Sequence, residues 1–133
     1  MKAVVLSLAL CLTGLVTTTA HAAWKLIDFT DEAAFYIDDF FEPGPQPRIW
    51  ELVDYRVPNE FGSQSARILW EVDCTRSVVR TLSFSSHPHR MGIGEPISID
   101  NRVGEWALPP EYSLQEAVFI LACGFEPAAG PKT

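Results

Sequence analysis

The sequence predicts an α+β domain: an antiparallel sheet of five or six strands carries one C-terminal α-helix, tethered to it by a disulfide. Three observations predict this fold. Residues 66–74, ARILWEVDC, alternate between apolar and polar side chains, which is typical of a half-buried antiparallel strand. Residues 113–123 change to a helical period. Two cysteines, Cys74 and Cys123, end the strand and stand near the end of the helix.

The first 22 residues are typical of a secretory signal peptide. Lys2 supplies a short positive start, residues 4–16 are an apolar run too short to span a membrane, and Ala20-His21-Ala22 is a small-x-small cleavage site. Cleavage before Ala23 removes 22 of the 133 residues and leaves 111, the size of one domain. We therefore expect an exported protein, periplasmic or secreted.

The mature chain is acidic. The full chain has a net charge of −7, and loss of Lys2 with the signal makes it −8. No cluster of Lys or Arg occurs, so we expect no binding to nucleic acid or anionic lipid, which both need basic patches. Leu10 precedes Cys11 where a lipoprotein signal needs a small residue, so we expect no membrane anchor after cleavage.

Cys74 and Cys123 are the two cysteines that remain after cleavage. In an oxidising compartment two cysteines have one intramolecular connectivity, so we predict this structural disulfide. It closes a loop of about 50 residues, for which the chain-entropy model gives roughly 4 kcal/mol of stabilisation. Two free thiols or an intermolecular bridge are the alternatives.

The other strands follow from alternation and from the turn residues between them. The candidates are residues 24–29, 33–41, 48–57 and 77–84, with a short sixth strand at 97–99. Their spacing predicts an antiparallel meander rather than βαβ units. In the fifth strand Arg80 should share a face with Val78, Leu82 and Phe84. The Arg80 side chain then either opens to solvent at an edge or contacts a carboxylate. Seven glycines and prolines in residues 85–112 break any longer element.

The helix begins at a capping box, Ser113-Leu-Gln-Glu116, and Gly124 is a natural stop. Its side chains are apolar almost all round, so it must be covered on more than one side, by the sheet and by residues 85–112 or a partner. The domain should therefore span residues 23–125, and residues 126–133 are expected to form a disordered tail.

Few residues suggest chemistry. His87-Pro88-His89 offers two imidazoles, but zinc needs a third ligand such as Glu95 or Asp100, so exposed loop histidines are the simpler interpretation. The carboxylates that are candidates for paired acid chemistry are Asp38, Asp39, Asp54, Glu71 and Asp73. Ion pairing with Arg76 and Arg80 explains Glu71 and Asp73 as well. We expect no enzymatic activity, no metal and no cofactor.

Aromatic residues are numerous, with four Trp, eight Phe and three Tyr. Most must lie in the core, but those that alternation forces outward are candidates for a binding surface, because aromatic anchors dominate interface energetics. The candidate partner surface comprises Trp50, Tyr55, Trp106 and Phe119.

A series of short motifs runs through nearly all of the mature chain: Trp24, Tyr36-Ile37-Asp38, RIWELVDY at 48–55, Ser65, Glu71-Val72-Asp73-Cys74, Arg80, Met91-Gly92-Ile93-Gly94, Trp106, residues 109–113 and Leu121-Ala122-Cys123. Their order and spacing resemble the bacterial surface-adhesin protein E family. The resemblance implies a six-stranded antiparallel sheet with a C-terminal helix held across its concave face by the disulfide. It also implies non-catalytic binding to host extracellular proteins such as vitronectin, laminin or plasminogen.

Fold transfers between relatives better than function does. The preferred hypothesis is a binding domain that recognises a protein of the envelope or of the host matrix. A structural or envelope-maintenance role without a strong ligand is the alternative, followed by a metal-dependent enzyme. The resemblance transfers only Cys74 and Cys123, as structural residues.

Overall fold

The structure is a computed structural model that describes residues 23–39 and 41–128. The predicted signal peptide and residues 129–133 of the predicted tail lie outside the described residues. Within the described ranges the strands are β1 (Trp24–Phe29), β2 (Ala33–Asp38), β3 (Arg48–Tyr55), β4 (Ser65–Asp73), β5 (Val78–His87) and β6 (Ser98–Asp100). They form one sheet in the order β1-β2-β3-β4-β5-β6, and each neighbouring pair is antiparallel, so the predicted meander is confirmed.

The helix, α1 (Leu114–Cys123), packs on one side of this sheet, called here the helix face. Its Val118, Phe119 and Ala122 join a buried cluster with sheet residues that include Ile49 and Val72. Cys74 and Cys123 are disulfide-bonded with their Cα atoms 5.6 Å apart, so the predicted bridge between sheet and helix is confirmed.

The predicted capping box is present in a modified form. The hydroxyl of Ser113 accepts a hydrogen bond from the amide of Glu116 at 3.1 Å, as expected. The Glu116 carboxylate reaches back to the amide of Tyr112 at 2.6 Å instead of that of Ser113. Gly124 ends the helix at φ 78°, a left-handed conformation that glycine adopts without strain.

A β-bulge in β5 changes the faces predicted for that strand. Leu69 pairs with Ser83 but Trp70 pairs with Thr81, so Leu82 is an extra residue. Arg80 consequently lies opposite Glu71 on the side of the sheet away from α1, the outer face, whereas Phe84 lies beside Ile68 on the helix face. The prediction that Arg80 and Phe84 share a face is wrong, because one inserted residue reverses the alternation.

The outer face is also less exposed than the alternation of residues 66–74 predicts. Asp54, Glu71 and Asp73 are each at most 5% exposed. Near Asp54 the cover is a 3-10 turn, Arg90–Gly92, that follows β5. The interpretation of this face as one that lies in water is therefore wrong, because part of the irregular segment 85–112 folds back across it.

Hydrogen bonds hold this turn in place. The Asp54 carboxylate accepts from Arg90 Nη2 at 2.6 Å and from the amide of Met91 at 2.9 Å. The hydroxyl of Ser65 donates to the carbonyl of His89 at 2.5 Å and accepts from the amide of Gly92 at 2.8 Å. These bonds satisfy the polar atoms of Asp54 and Ser65, whose burial without hydrogen bonds would cost free energy of folding.

Candidate binding cleft

The helix covers one part of the helix face and leaves another part open. Ala33, Val53 and Ala66 form a second buried cluster, with Phe35, Tyr55 and Ile68 packed around it and without a contribution from α1. Phe35 pairs with Val53, and Val53 with Ala66, so this cluster runs across three strands. A cleft of about 420 Å³ lies between it and the start of α1, and we call it the Glu51 cleft. It is lined by Thr30, Glu32, Ala33, Phe35, Glu51, Val53, Tyr55, Ile68, Trp70, Leu114 and Gln115.

Glu51 is the most unusual residue of this cleft. Alternation along β3 places it on the helix face between Ile49 and Val53, and it is only 2% exposed. Its Oε2 accepts a hydrogen bond of 2.6 Å from the indole Nε1 of Trp70. The described residues give this carboxyl group no other hydrogen bond or ion pair.

Burial is the largest influence on the pKa of two ionisable groups that line the cleft. Loss of hydration raises the pKa of Glu51, and the hydrogen bond from Trp70 offsets only part of that effect. Burial also raises the pKa of Tyr55, and the negative charge of Glu51 raises it further. A perturbed acid in an apolar, partly open cleft is the usual sign of a binding or functional site.

The sequence analysis did not single out Glu51, although a signal was present. The third strand reads RIWELVDY, and its alternation puts Ile49, Glu51, Val53 and Tyr55 on one face. A single acid at an apolar position of a strand was the available indication. Glu51 has no second acid beside it in the strand, so the pattern of paired carboxylates does not include it.

The four predicted partner-surface residues do not form one surface. Tyr55 lines the Glu51 cleft, but Trp50 and Trp106 lie half-buried on the outer face. The guanidinium of Arg80 covers the Trp106 ring at 4.2 Å. Phe119 is fully buried between the sheet and the Phe125 ring, 5.7 Å away, so it presents no surface, and its assignment to a partner surface is corrected.

The histidine pair does not present two exposed ligands, as was expected of a loop. His87 ends β5 and is 5% exposed. Its Nδ1 lies 3.1 Å from the carbonyl oxygen of Gly94, and its Nε2 lies 2.9 Å from the Ser85 hydroxyl. His89 is exposed. Within residues 23–39 and 41–128, no group of three or more His, Cys, Asp or Glu is arranged to hold a metal ion.

The predicted ion pairing of Glu71 is present in the structure. Its carboxylate accepts from Arg80 Nη2 at 2.6 Å and from Arg48 Nε at 3.0 Å. Burial alone would raise the pKa of Glu71, but the two guanidinium groups together outweigh burial and lower it. The predicted pairing of Asp73 with Arg76 is also present, at 3.9 Å between Oδ2 and Nη1, and the Asp73 carboxylate accepts in addition from the amides of Thr75 and Arg76. Together with the Asp54–Arg90 pair, these contacts give the buried outer-face acids structural partners.

Asp38 and Asp39 lie where β2 ends. The amide of Asp39 donates to the carbonyl of Ala23 at 3.2 Å, which continues the pairing of β2 with the start of the described chain. Asp100, offered as a third metal ligand, instead makes an exposed pair with Arg102 at 2.5 Å. Its pKa falls to about 2, because hydrogen bonds from the side chain and amide of Arg102 stabilise the carboxylate.

Comparison with known proteins gives one finding. The family model of surface-adhesin protein E matches residues 24–124, which extend from the start of β1 to the glycine that ends α1. Neither the curated proteins nor the solved structures contain a match to the chain. In the described part of the chain, each helix is too short or too polar to cross a membrane. On the evidence of the family model, the chain belongs to the surface-adhesin protein E family.

Proposed function

We propose that this domain is an exported, non-catalytic binding module that recognises a protein of the envelope or of the host matrix through the open part of its helix face. Membership of a surface-adhesin family supports an adhesin-like binding role. The position of the site is a separate proposal, and it rests on the exposed apolar side chains around the Glu51 cleft.

The single observation that carries this proposal is the continuity of the apolar surface beyond the cleft. Ile68 lines the cleft and pairs directly with Phe84, which is 39% exposed. Phe84 in turn lines a second groove of about 460 Å³ together with Phe61 and Ile97, which are 75% and 47% exposed. Contiguous exposed apolar surface of this kind marks interaction sites in soluble proteins.

Binding to purified matrix proteins tests the proposal. The mature domain is titrated onto immobilised vitronectin, laminin and plasminogen, and a detergent extract of the cell envelope is tested in parallel. Saturable binding to at least one purified protein is expected. Binding should fall about tenfold or more in Phe61→Ser and Ile97→Ser, because truncation of the few anchor residues at the centre of an interface costs about 2 kcal/mol or more.

Ile93→Ser is the matched control, because Ile93 is 62% exposed but follows the 3-10 turn on the outer face. This variant should bind as the unmodified domain does. An equal loss in the control would contradict the position proposed for the site. No saturable binding to any purified protein or envelope component would contradict the binding role and favour a structural role.

A further inference from the structure

We infer that the Glu51 cleft receives an arginine side chain of the partner polypeptide, with the guanidinium group at the Glu51 carboxylate. The inference rests on the proposed function and adds to it the chemistry of the partner at the same site. Four observations lead to it: an acceptor oxygen without a partner, the sign of the charge around the cleft, its aromatic walls and its size.

The first observation concerns Glu51 Oε1. The indole of Trp70 occupies Oε2, and the described residues supply no partner for the other oxygen. Among the described residues, Arg67 Nε is the side-chain atom that is both sealed from solvent and without a partner. Oε1 also lacks a partner but is not among the sealed atoms, so it keeps some exposure, and Glu51 is one of the residues that line the cleft. It is therefore an acceptor that a ligand in the cleft could use.

The second observation is the charge of the lining. Glu32 and Glu51 both line the cleft, and none of its lining residues is Lys, Arg or His. The raised pKa of Glu51 agrees with this, because no cation near it compensates the loss of hydration. A cationic group is therefore the complementary ligand, and a charge-assisted hydrogen bond to Oε1 would be stronger than a neutral one.

The aromatic walls favour arginine among the cations. Phe35, Tyr55 and Trp70 line the cleft, and their rings can bind a cation or pack against its aliphatic stem. A planar guanidinium stacks on aromatic rings and is more weakly hydrated than the ammonium of lysine, so it loses less on entering an apolar cleft.

The cleft has room for one long side chain together with part of the backbone that carries it. Its volume of about 420 Å³ is too small for a folded element of a partner. The adjoining apolar surface at Phe84, Phe61 and Ile97 can carry the neighbouring residues of an extended polypeptide. For this reason the occupant is assigned to a partner chain rather than to a free amine.

The test is a peptide titration of the mature domain. A blocked Gly-Gly-Arg-Gly-Gly peptide and its citrulline counterpart, which has nearly the same shape without the charge, are titrated while the indole N–H resonance of Trp70 is followed by NMR. The arginine peptide should shift this resonance saturably and bind at least about tenfold more tightly than the citrulline peptide. Glu51→Gln should remove this difference and leave citrulline binding unchanged. Gln keeps an acceptor for Trp70.

Equal binding of the two peptides, or an arginine preference that survives Glu51→Gln, would overturn the inference. Agmatine, the free amine with the same guanidinium group, is the third probe. Agmatine binding as tight as that of the arginine peptide would overturn the assignment to a polypeptide. If Glu51→Gln does not fold, the arginine and citrulline comparison on the unmodified domain decides the matter, together with Glu32→Gln at the exposed rim, which should weaken arginine binding alone.

The two proposals fail in different ways. If purified matrix proteins bind and depend on Ile97 but are insensitive to Glu51→Gln, the arginine inference is wrong and the proposed function stands. If no protein binds the domain, the proposed function is wrong whatever the peptides do.

Discussion

Two buried glutamates on neighbouring strands, Glu51 of β3 and Glu71 of β4, have opposite electrostatic environments. Glu51 lies on the helix face with one neutral donor, the Trp70 indole, and its pKa is raised. Glu71 lies on the outer face between Arg48 and Arg80, and its pKa is lowered. The difference follows from their partners, one neutral indole for Glu51 and two guanidinium groups for Glu71, and it gives the two acids a distinct dependence on pH.

The Glu51 shift predicts a stability difference that depends on pH. Its pKa in the folded state lies above the ordinary value of 4.5, so the folded state binds the proton more tightly than the unfolded state does. Wild-type protein should therefore lose stability relative to Glu51→Gln as the pH rises from about 4.5 through the raised pKa. Urea unfolding of both proteins from pH 4 to pH 8 measures this difference, and parallel pH profiles would contradict it.

Glu71 predicts the opposite trend. Its pKa in the folded state lies below 4.5, so its stabilisation is present above that pH and is lost as the pH falls through the lowered pKa. Glu71→Ala should lower the free energy of unfolding by about 1.5–3 kcal/mol at pH 7, the usual value of hydrogen bonds to charged groups. The loss should shrink in acid.

The matched control for Glu71 is Asp100→Ala. Asp100 also pairs with an arginine, but the Arg102 side chain is 90% exposed, so solvent screens the pair. This variant should unfold at the same urea concentration as wild type at pH 7. Equal destabilisation by both variants would show that the burial of Glu71 is not what matters.

At the scale of elements, the 3-10 turn and the bulge in β5 decide what the two faces of the sheet present. The turn covers the outer face at Asp54 and Ser65, while the bulge turns Phe84 toward the helix face. The turn therefore closes part of the outer face. The bulge extends the apolar surface of the helix face beyond α1.

Two glycines with left-handed backbones provide a test of this turn. Gly92 has φ 68°, and a Cβ there would lie 2.3 Å from Arg67 Nε, whereas Gly62 has φ 77° and nothing within 4 Å. Gly62→Ala should cost about 1–2 kcal/mol for the backbone alone. Gly92→Ala should cost more than this, because the new Cβ also forces the guanidinium group of Arg67 away from the turn. Thermal unfolding compares the two, and equal midpoints would contradict the close packing.

At the scale of the whole molecule, stability depends on the bridge between the sheet and the helix. The disulfide joins residues 49 positions apart, and α1 is the element that buries Ile49 and Val72. Cys74→Ser with Cys123→Ser should lower the free energy of unfolding by about 2–5 kcal/mol. Denaturant unfolding of the double variant and of reduced wild type measures the loss. Stabilities equal to that of the oxidised protein would exclude a stabilising role for the bridge.

Export makes a second prediction at this scale. If the signal is removed before Ala23 and no lipid is attached, the intact mass of native protein corresponds to a chain of 111 residues, 22 fewer than the full 133. Mass spectrometry of protein purified from its native cells measures it. A retained Met1 or an added acyl mass would contradict this maturation and would place the domain on an anchor.

The sequence by itself determined the meander, the helix with its cap and stop, and the disulfide. Each depends on local information: alternation in residues 66–74, the Ser113 and Glu116 pair, and two cysteines in an exported chain. Family membership also followed from short motifs in order. The end of β5 differs from the predicted one, because strand pairing decides it. β5 continues to His87, which pairs with Ser65 of β4.

Only the tertiary structure decided the candidate site. The bulge at Leu82, the cover of Asp54 and Ser65 by a turn some 25 or more residues away, and the area of sheet that α1 leaves open all depend on long-range contacts. Glu51 stood at an apolar position in the sequence, but the partner that binds it, Trp70, lies on the next strand. Periodicity assigns a residue to a face, and what covers that face is set by the packing of distant segments.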